Sequence, residues 1–112
     1  MTPSQGWYSV KCLFRHENDP AASEGHLYEE RIIVLRAQSL DDALNMAELE
    51  AKSYAGDGGD VQYCNFASAY HIADDELTER TEVYSLLRQS PLQISEYVDR
   101  YYDEGTERVQ RG

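Results

Sequence analysis

Twice along the chain, a segment of strand-like residues ends at Gln-Ser and a helical pattern begins. The first change falls at Ser39 and the second at Ser90. Alternation of apolar and polar residues is typical of a half-buried strand, whereas apolar residues that recur every three or four positions indicate a helix. Serine at each change favours a helix start, because its side chain accepts a hydrogen bond from an amide of the first turn. These two transitions set the order of the predicted elements.

Four strands and two helices follow from this pattern. The strands are predicted over residues 7–14, 28–37, 61–73 and 82–88. The helices begin at Ser39 and Ser90, and they end at Gly56 and Gly105 because glycine tolerates the left-handed conformation that closes a helix. The order ββαββα predicts an α+β fold, a four-stranded and mainly antiparallel sheet with both helices packed on one face.

The length of the chain allows one domain. Its 112 residues suit a single core. We expect a disordered N-terminus over residues 1–6, a single domain over 7–105 and a flexible tail over 106–112. The polar segment 15–27, which contains proline and glycine, predicts a long loop between the first two strands.

Odd and even positions of a strand point to opposite faces, so the positions of the apolar residues predict the two faces of the sheet. The side chains predicted to pack against the helices are Tyr8, Val10, Cys12 and Phe14 of the first strand and Cys64, Phe66, Tyr70 and Ile72 of the third. The opposite parity forms the second face, with Trp7, Leu13, Ile33, Leu35, Tyr63, Ala67, Ala69, Val83 and Leu87. A monomer rarely exposes so apolar a face, so we expect either the 15–27 loop or another molecule to cover it.

The centre of the second strand is apolar on both parities. Residues 32–35 read Ile-Ile-Val-Leu, with no polar side chain among them. A continuous apolar run of this kind is typical of a strand that is buried on both sides. The second strand is therefore predicted to be covered on both faces.

No residue pattern predicts a catalytic or metal site. Cys64 and His71 lie an odd number of positions apart on one predicted strand, so their side chains face opposite sides. Cys12 and Cys64 share parity with apolar residues, and no close Cys or His pair has the spacing of a structural zinc site. The glycine-rich segment 56–59 follows a helix, whereas a phosphate-binding loop precedes one. We therefore expect no enzyme activity, no cofactor and no metal.

Acidic residues outnumber basic ones throughout the chain. There are 21 Asp and Glu against 10 Lys and Arg, which gives a net charge of -11. Because Lys and Arg bind nucleic-acid phosphates and anionic lipids, this charge argues against nucleic acid and membrane as ligands. Residues 1–6 lack the basic and apolar segments of a secretory signal, and both cysteines are expected as free thiols. These features predict a cytoplasmic protein.

Several segments together resemble one protein family. They are Trp7-Tyr8-Ser9-Val10, Tyr28-Glu29-Glu30-Arg31-Ile32, the helix with Ala43, Ala47 and Ala51, and Thr81-Glu82-Val83-Tyr84-Ser85. This combination is similar to an uncharacterised family of short, free-standing bacterial proteins known as a domain of unknown function. The similarity spans about residues 7 to 103. It implies a small bacterial α+β protein with no assigned activity, so no catalytic residue is implied.

The composition predicts a protein-binding module. Spread acidity steers association with a basic partner, and tyrosine and tryptophan are enriched at binding surfaces. Small, acidic bacterial α+β proteins are similar in type to immunity proteins, which neutralise antibacterial toxins. We therefore expect an immunity protein or inhibitor that occludes a toxin or another basic partner.

Two alternatives remain open at this point. One is a self-associating structural or accessory domain that forms a two-fold homodimer and has no catalytic activity. The other is a small-molecule site between helices and sheet, formed by Cys64, Tyr70 and Tyr97. For the protein-binding hypothesis, the residues predicted to contact the partner are Trp7, Lys11, Glu29, Glu30, Tyr63, Asn65, His71, Asp74, Asp75 and Glu76.

Overall fold

The computed structural model describes residues 5–17 and 26–102 and has an α+β fold. Its elements are β1 (Gly6–His16), β2 (Leu27–Ala37), α1 (Leu40–Ala55), β3 (Val61–Ile72) and α2 (Ile94–Tyr101). Within these residues the strands form one antiparallel sheet with the order β2-β1-β3. The predicted fold class is therefore confirmed, with β1 as the central strand.

One face of the sheet packs against α1, and it is called the α1 face below. From β1 it receives Tyr8, Val10, Cys12 and Phe14, all of them buried. Alternate residues of a strand point to the same side, so one parity of β1 supplies this part of the core. The parity predicted for the first strand is confirmed.

The start and the end of α1 follow the predicted signals. The Oγ atom of Ser39 accepts a hydrogen bond from the amide of Asp42 at 3.0 Å, and the carboxylate of Asp42 accepts one from the amide of Gln38 at 3.0 Å. The first bond satisfies an amide that a helix start leaves without a partner inside the helix, and the second joins the residue before the cap to the first turn. The helix ends at Gly56, whose φ of 74° is in the region that favours glycine.

Small side chains bring α1 close to the sheet. Ala43, Ala47 and Ala51 lie at helical spacing on one side of α1 and are fully buried. Because alanine adds little bulk, the space between helix and sheet is filled largely by aromatic side chains of the strands, such as Phe14 and Tyr63. The hydrophobic effect of this contact holds the helix in place.

The face assignment predicted for β2 and β3 is wrong. The residues that were expected on the second face but pack against the core on the α1 face are Ile33, Leu35, Tyr63, Ala67 and Ala69. The registers explain this, since Val10 lies opposite Ile33 on one side and Ala69 on the other. The alanine side of α1 sits above the small residues of β3, and Tyr70 lies opposite Ser9 on the second face.

A fourth strand is not observed among the described residues. The segment 82–88 has no ladder partner there and instead crosses the second face without regular secondary structure. The hydroxyl of Ser9 donates a hydrogen bond to the carbonyl of Val83. This carbonyl is thus bound by a side chain of β1 rather than by the backbone of a neighbouring strand.

The second helix does not pack on the sheet as predicted. Within the described residues, no Cα atom of α2 lies within 8 Å of a Cα atom in the strands or in α1. The Oγ of Ser90 accepts a hydrogen bond from the amide of Leu92 at 3.1 Å, and the helix begins only at Ile94. The guanidinium of Arg88 lies 4.1 Å from the ring centre of Tyr101, which ties α2 to the segment before it.

The predicted ends of the chain fall mainly outside the described residues. Of the predicted N-terminal segment 1–6, Gly6 already belongs to β1. The predicted helix end at Gly105 and the tail 106–112 lie outside the described part of the chain. No helix among residues 5–17 and 26–102 has the length and the apolar character needed to cross a membrane.

Candidate protein-interaction surface

The second face of the sheet carries an exposed apolar strip along β2. On the second face this strand carries Tyr28, Ile32 and Val34, whose surfaces are 53%, 44% and 42% exposed. On the same face, Leu13 of β1 is half-buried and lies opposite Glu30. We call Tyr28, Ile32, Val34 and Leu13 the β2 strip. Adjacent exposed apolar side chains of this kind mark an interaction site more often than scattered single ones do.

The other half of the second face is covered. The segment around Val83 and Tyr84 lies over it, and the hydroxyl of Tyr84 donates a hydrogen bond to the Oγ of Ser68 at 3.1 Å. The ring centre of Tyr84 is 5.0 Å from the Nζ of Lys11 and 6.1 Å from the ring centre of Tyr70. The boundary between the covered and the open half therefore runs along β1.

Charged groups lie within the β2 strip and at one end of it. Between Tyr28 and Ile32, Glu30 forms an ion pair with the Nζ of Lys11 at 3.1 Å. At the Val34 end of the strip, the guanidinium of Arg36 lies 5.4 Å from the ring centre of Trp7. Asp75, Glu76 and Leu77 line a depression together with these two side chains. Protein-binding patches combine apolar, aromatic and charged side chains in this way.

The structure brings together part of the predicted partner-contact set. On the second face or at its border lie Trp7, Lys11, Glu30, Asp75 and Glu76. Asp74 is in the same exposed turn after β3. These residues remain candidates for contact with a partner at this surface.

Glu29 lies on the α1 face instead. Its Oε1 is 2.9 Å from the Nε2 of His16, and the hydroxyl of Tyr54 donates to the same carboxylate at 2.9 Å. Burial opposes ionisation of Glu29, but the hydrogen bonds from His16 and Tyr54 outweigh it, so the pKa of Glu29 is lower than its ordinary value. This carboxylate already has partners within the fold.

Tyr63 and His71 also lie on the α1 face, away from the β2 strip. Tyr63 is buried in the core, and its hydroxyl donates a hydrogen bond to Glu48 at 3.3 Å. Burial, followed by the electrostatic effect of the neighbouring Cys12 and Glu48, raises the pKa of Tyr63. His71 stacks on Tyr8, with ring centres 4.7 Å apart. Neither side chain is placed to contact a molecule that binds at the second face.

Asn65 lies at an irregular point of β3. The register between β1 and β3 shifts between Cys12 and Phe14, opposite this part of β3. Asn65 is exposed and has a φ of 60°, a conformation that asparagine tolerates better than most residues do. It bends the edge strand and lies apart from the β2 strip.

The predicted contact set contains none of the four residues of the β2 strip. Tyr28, Ile32 and Val34 belong to a strand that is apolar on both parities at its centre, and this was interpreted as coverage on both faces. Only Ile33, Leu35 and the other residues of the opposite parity are covered by α1. The apolar run was the right signal, but the sequence does not tell whether a second layer of the same chain covers it.

The exposed groups described on the second face are aromatic, aliphatic and charged side chains. Among residues 5–17 and 26–102, no three His, Cys, Asp or Glu side chains lie close enough together to hold a metal ion. Burial raises the pKa of the Cys12 thiol, which disfavours the reactive thiolate. Apolar contact, aromatic stacking and ion pairing are what the exposed groups of the second face offer to a ligand.

In comparisons with known proteins, no family model, no curated protein and no solved structure matches the chain. The resemblance to a family of short bacterial proteins therefore stays a prediction.

Proposed function

We propose that the chain is a small acidic module of the cytoplasm that binds a protein partner through the β2 strip. The partner class that suits it is a basic toxin or another basic protein, which the module would inhibit in the manner of an immunity protein. The observation that carries the proposal is the exposed strip of Tyr28, Ile32 and Val34 beside the charged groups Glu30, Asp75 and Glu76.

Affinity in such a complex would come mainly from the apolar strip. Aromatic side chains at the centre of an interface contribute most of the binding energy when a rim of other residues excludes water around them. Tyr28 is the aromatic residue of the strip and lies at one end of it, and Trp7 lies at the other end beside Arg36. We expect both rings to contact the partner, with Ile32 and Val34 between them.

The net charge would act at longer range. A chain with a net charge of -11 attracts a basic protein before contact, which raises the association rate at low ionic strength. Asp75 and Glu76 line the depression beside Trp7 at one end of the strip, so their charges add to the attraction there. Inhibition then needs no catalytic group, because the bound module covers the active surface of its partner.

The test starts with the product of the neighbouring gene, co-expressed and purified with this chain. Binding is measured by calorimetry for the wild-type protein and for I32S, and we expect I32S to weaken binding about tenfold or more, as loss of a buried interface side chain does. L49S is the matched control, because Leu49 is an exposed apolar residue of α1. Equal affinity of wild type and I32S would remove the β2 strip from the proposal.

Ionic strength tests the electrostatic part. The association rate with a basic partner should fall steeply as salt is raised, since the charges that steer the encounter are screened. A complex whose association rate does not change with salt would show that the acidity of this chain serves another purpose, such as solubility.

A second candidate function is self-association without catalytic activity. The observation that favours it is the position of β2 at the edge of the sheet, with its outer side unpaired among the described residues. Edge strands of this kind pair readily with another strand.

A further inference from the structure

The two edges of the sheet differ in how they are protected. β3 has a register irregularity and a residue with positive φ at Asn65, both of which twist an edge away from pairing. β2 pairs with β1 without interruption from Leu27 to Ala37 and contains no proline, glycine or lysine. Proline, glycine, lysine and bulges, which protect many edge strands, are therefore absent from β2, whose charged residues are Glu29, Glu30, Arg31 and Arg36.

We propose that a second copy of the chain pairs antiparallel with β2 across a two-fold axis at Ile33. This inference rests on the second candidate function and gives it a register, and it is independent of the proposed inhibition. The two sheets would join as one continuous sheet with the order β3-β1-β2-β2-β1-β3. Pairing of this type satisfies the outward amides and carbonyls of both edge strands.

Symmetry restricts the possible registers. A two-fold axis perpendicular to the sheet keeps each face on its own side, so residues of equal parity must lie opposite each other. One residue is then opposite its own copy at the axis. The choice of register is reduced to the choice of this central residue on β2.

Charge selects the centre at Ile33. In that register Glu30 lies opposite Arg36 of the second copy, and the symmetric pair repeats the contact on the other side of the axis. Ile32 then lies opposite Val34 of the second copy, so the apolar residues also meet. Opposite charges directly across two strands stabilise pairing, as do apolar pairs.

Other centres are less favourable. An axis at Glu30 or at Arg31 sets each of these charges opposite its own copy, and like charges in this position destabilise a strand pair. An axis at Ile32 leaves Arg36 opposite Tyr28 and forms no ion pair. Ile33 is the centre at which the second-face charges Glu30 and Arg36 find each other.

The α1 face is compatible with the same register. There, Arg31 comes opposite Leu35 of the second copy. The guanidinium of Arg31 already binds Glu50 of the same chain at 2.6 and 2.9 Å. The carboxylate of Glu29 is bonded within its own chain and comes opposite Ala37 of the second copy. No like charges are brought together on this face.

The pairing would also merge the two β2 strips. Tyr28, Ile32 and Val34 of both copies would lie on one face around the axis, so the dimer presents one larger apolar surface than either chain alone. A protein partner that binds the strip would then meet the dimer.

Charge reversal tests the register. Sedimentation equilibrium at micromolar concentration is expected to show a dimer for wild type. E30R and R36E alone each place two pairs of like charges opposite each other, so each should dimerise at least about tenfold more weakly. An equimolar mixture of the two variants restores Glu opposite Arg at both positions, and the mixture should dimerise again.

The controls are E79R and R80E, which change the net charge by the same amounts in an exposed turn. Circular dichroism checks that every variant is folded. A monomeric wild type would overturn self-association as a whole. A dimeric wild type with unchanged E30R and R36E, or a mixture that stays monomeric, would overturn this register while leaving self-association standing. None of these results bears on binding to a basic protein, which calorimetry measures separately.

Discussion

The two faces of the sheet are closed in different ways. On the α1 face, Val10, Phe14 and Ala47 are fully buried between the strands and one regular helix. On the second face, an irregular segment covers β1 and β3 through the backbone carbonyl of Val83 and the side chain of Tyr84, and β2 stays open. The two faces therefore differ in how far their apolar groups are buried. The α1 face carries most of the buried apolar side chains, Ile72 is buried on the second face, and Tyr28, Ile32 and Val34 of that face stay exposed.

Matched truncations of two phenylalanines test this difference most strongly. Phe14 is fully buried and its ring centre lies 4.9 Å from that of Tyr54, whereas Phe66 of β3 is 55% exposed. F14A should lower the free energy of unfolding by about 3–5 kcal/mol, because it removes buried apolar surface and leaves a cavity. F66A should lower it by less than about 1 kcal/mol. Urea unfolding of both variants gives the two values, and similar losses would contradict the difference in burial between these two side chains.

The cover of the second face is expected to be much weaker. The buried hydroxyl of Ser9 donates to the carbonyl of Val83, so S9A removes one of the few contacts that hold the irregular segment. We expect a loss of about 1 kcal/mol from this segment, the usual net contribution of one hydrogen bond. Opening of the segment should then expose it to protease more often.

Trypsin measures that opening directly, because Arg80 and Arg88 flank the segment. S9A should be cut there about fivefold faster than wild type, as a change of this size in an opening equilibrium implies. S85A, which alters an exposed serine of the same segment, is the control. If S9A and S85A are cut at the same rate, the Ser9 contact does not hold the cover.

Local signals in the sequence were sufficient for the elements of the α1 face. The Ser39 cap, the glycine stop at Gly56 and the alternation of β1 each depend on interactions within a few residues. Such interactions are encoded in short segments, and the structure confirms all three. The α+β class followed from them.

The sidedness of β2 and β3 depends on packing between distant segments. Residues 32–35 are apolar on both parities, so only the register with β1 decides that Ile33 and Leu35 face the helix. The prediction of a fourth strand was wrong for a similar reason, since residues 82–88 have strand-like composition but no ladder partner among the described residues. α2 keeps its amphipathic pattern without a surface of this sheet to bury it. The predicted contact residues therefore lie on both faces of the sheet, and only the structure identifies the β2 strip.

The smallest effect that we predict is the pH dependence of the stability contributed by Glu29, at the edge of the α1 face. Glu29 is bonded to His16 and Tyr54, and its pKa is lower in the folded protein than its ordinary value. A carboxyl group with a lowered pKa contributes stability above its unfolded pKa, and this contribution is lost as the pH falls through the folded pKa. Because Glu29 is partly open to solvent, we expect a contribution below about 1 kcal/mol.

Removing that carboxylate should flatten the acid side of the stability profile. Urea unfolding of wild type and E29Q between about pH 6 and pH 3 should show the difference between them shrinking as the pH falls below the ordinary range of a glutamate. E79Q, in an exposed turn, is the matched control. A constant difference across this range would mean that the charge of Glu29 does not contribute to stability. Glu29 would then act through its shape and hydrogen bonds alone.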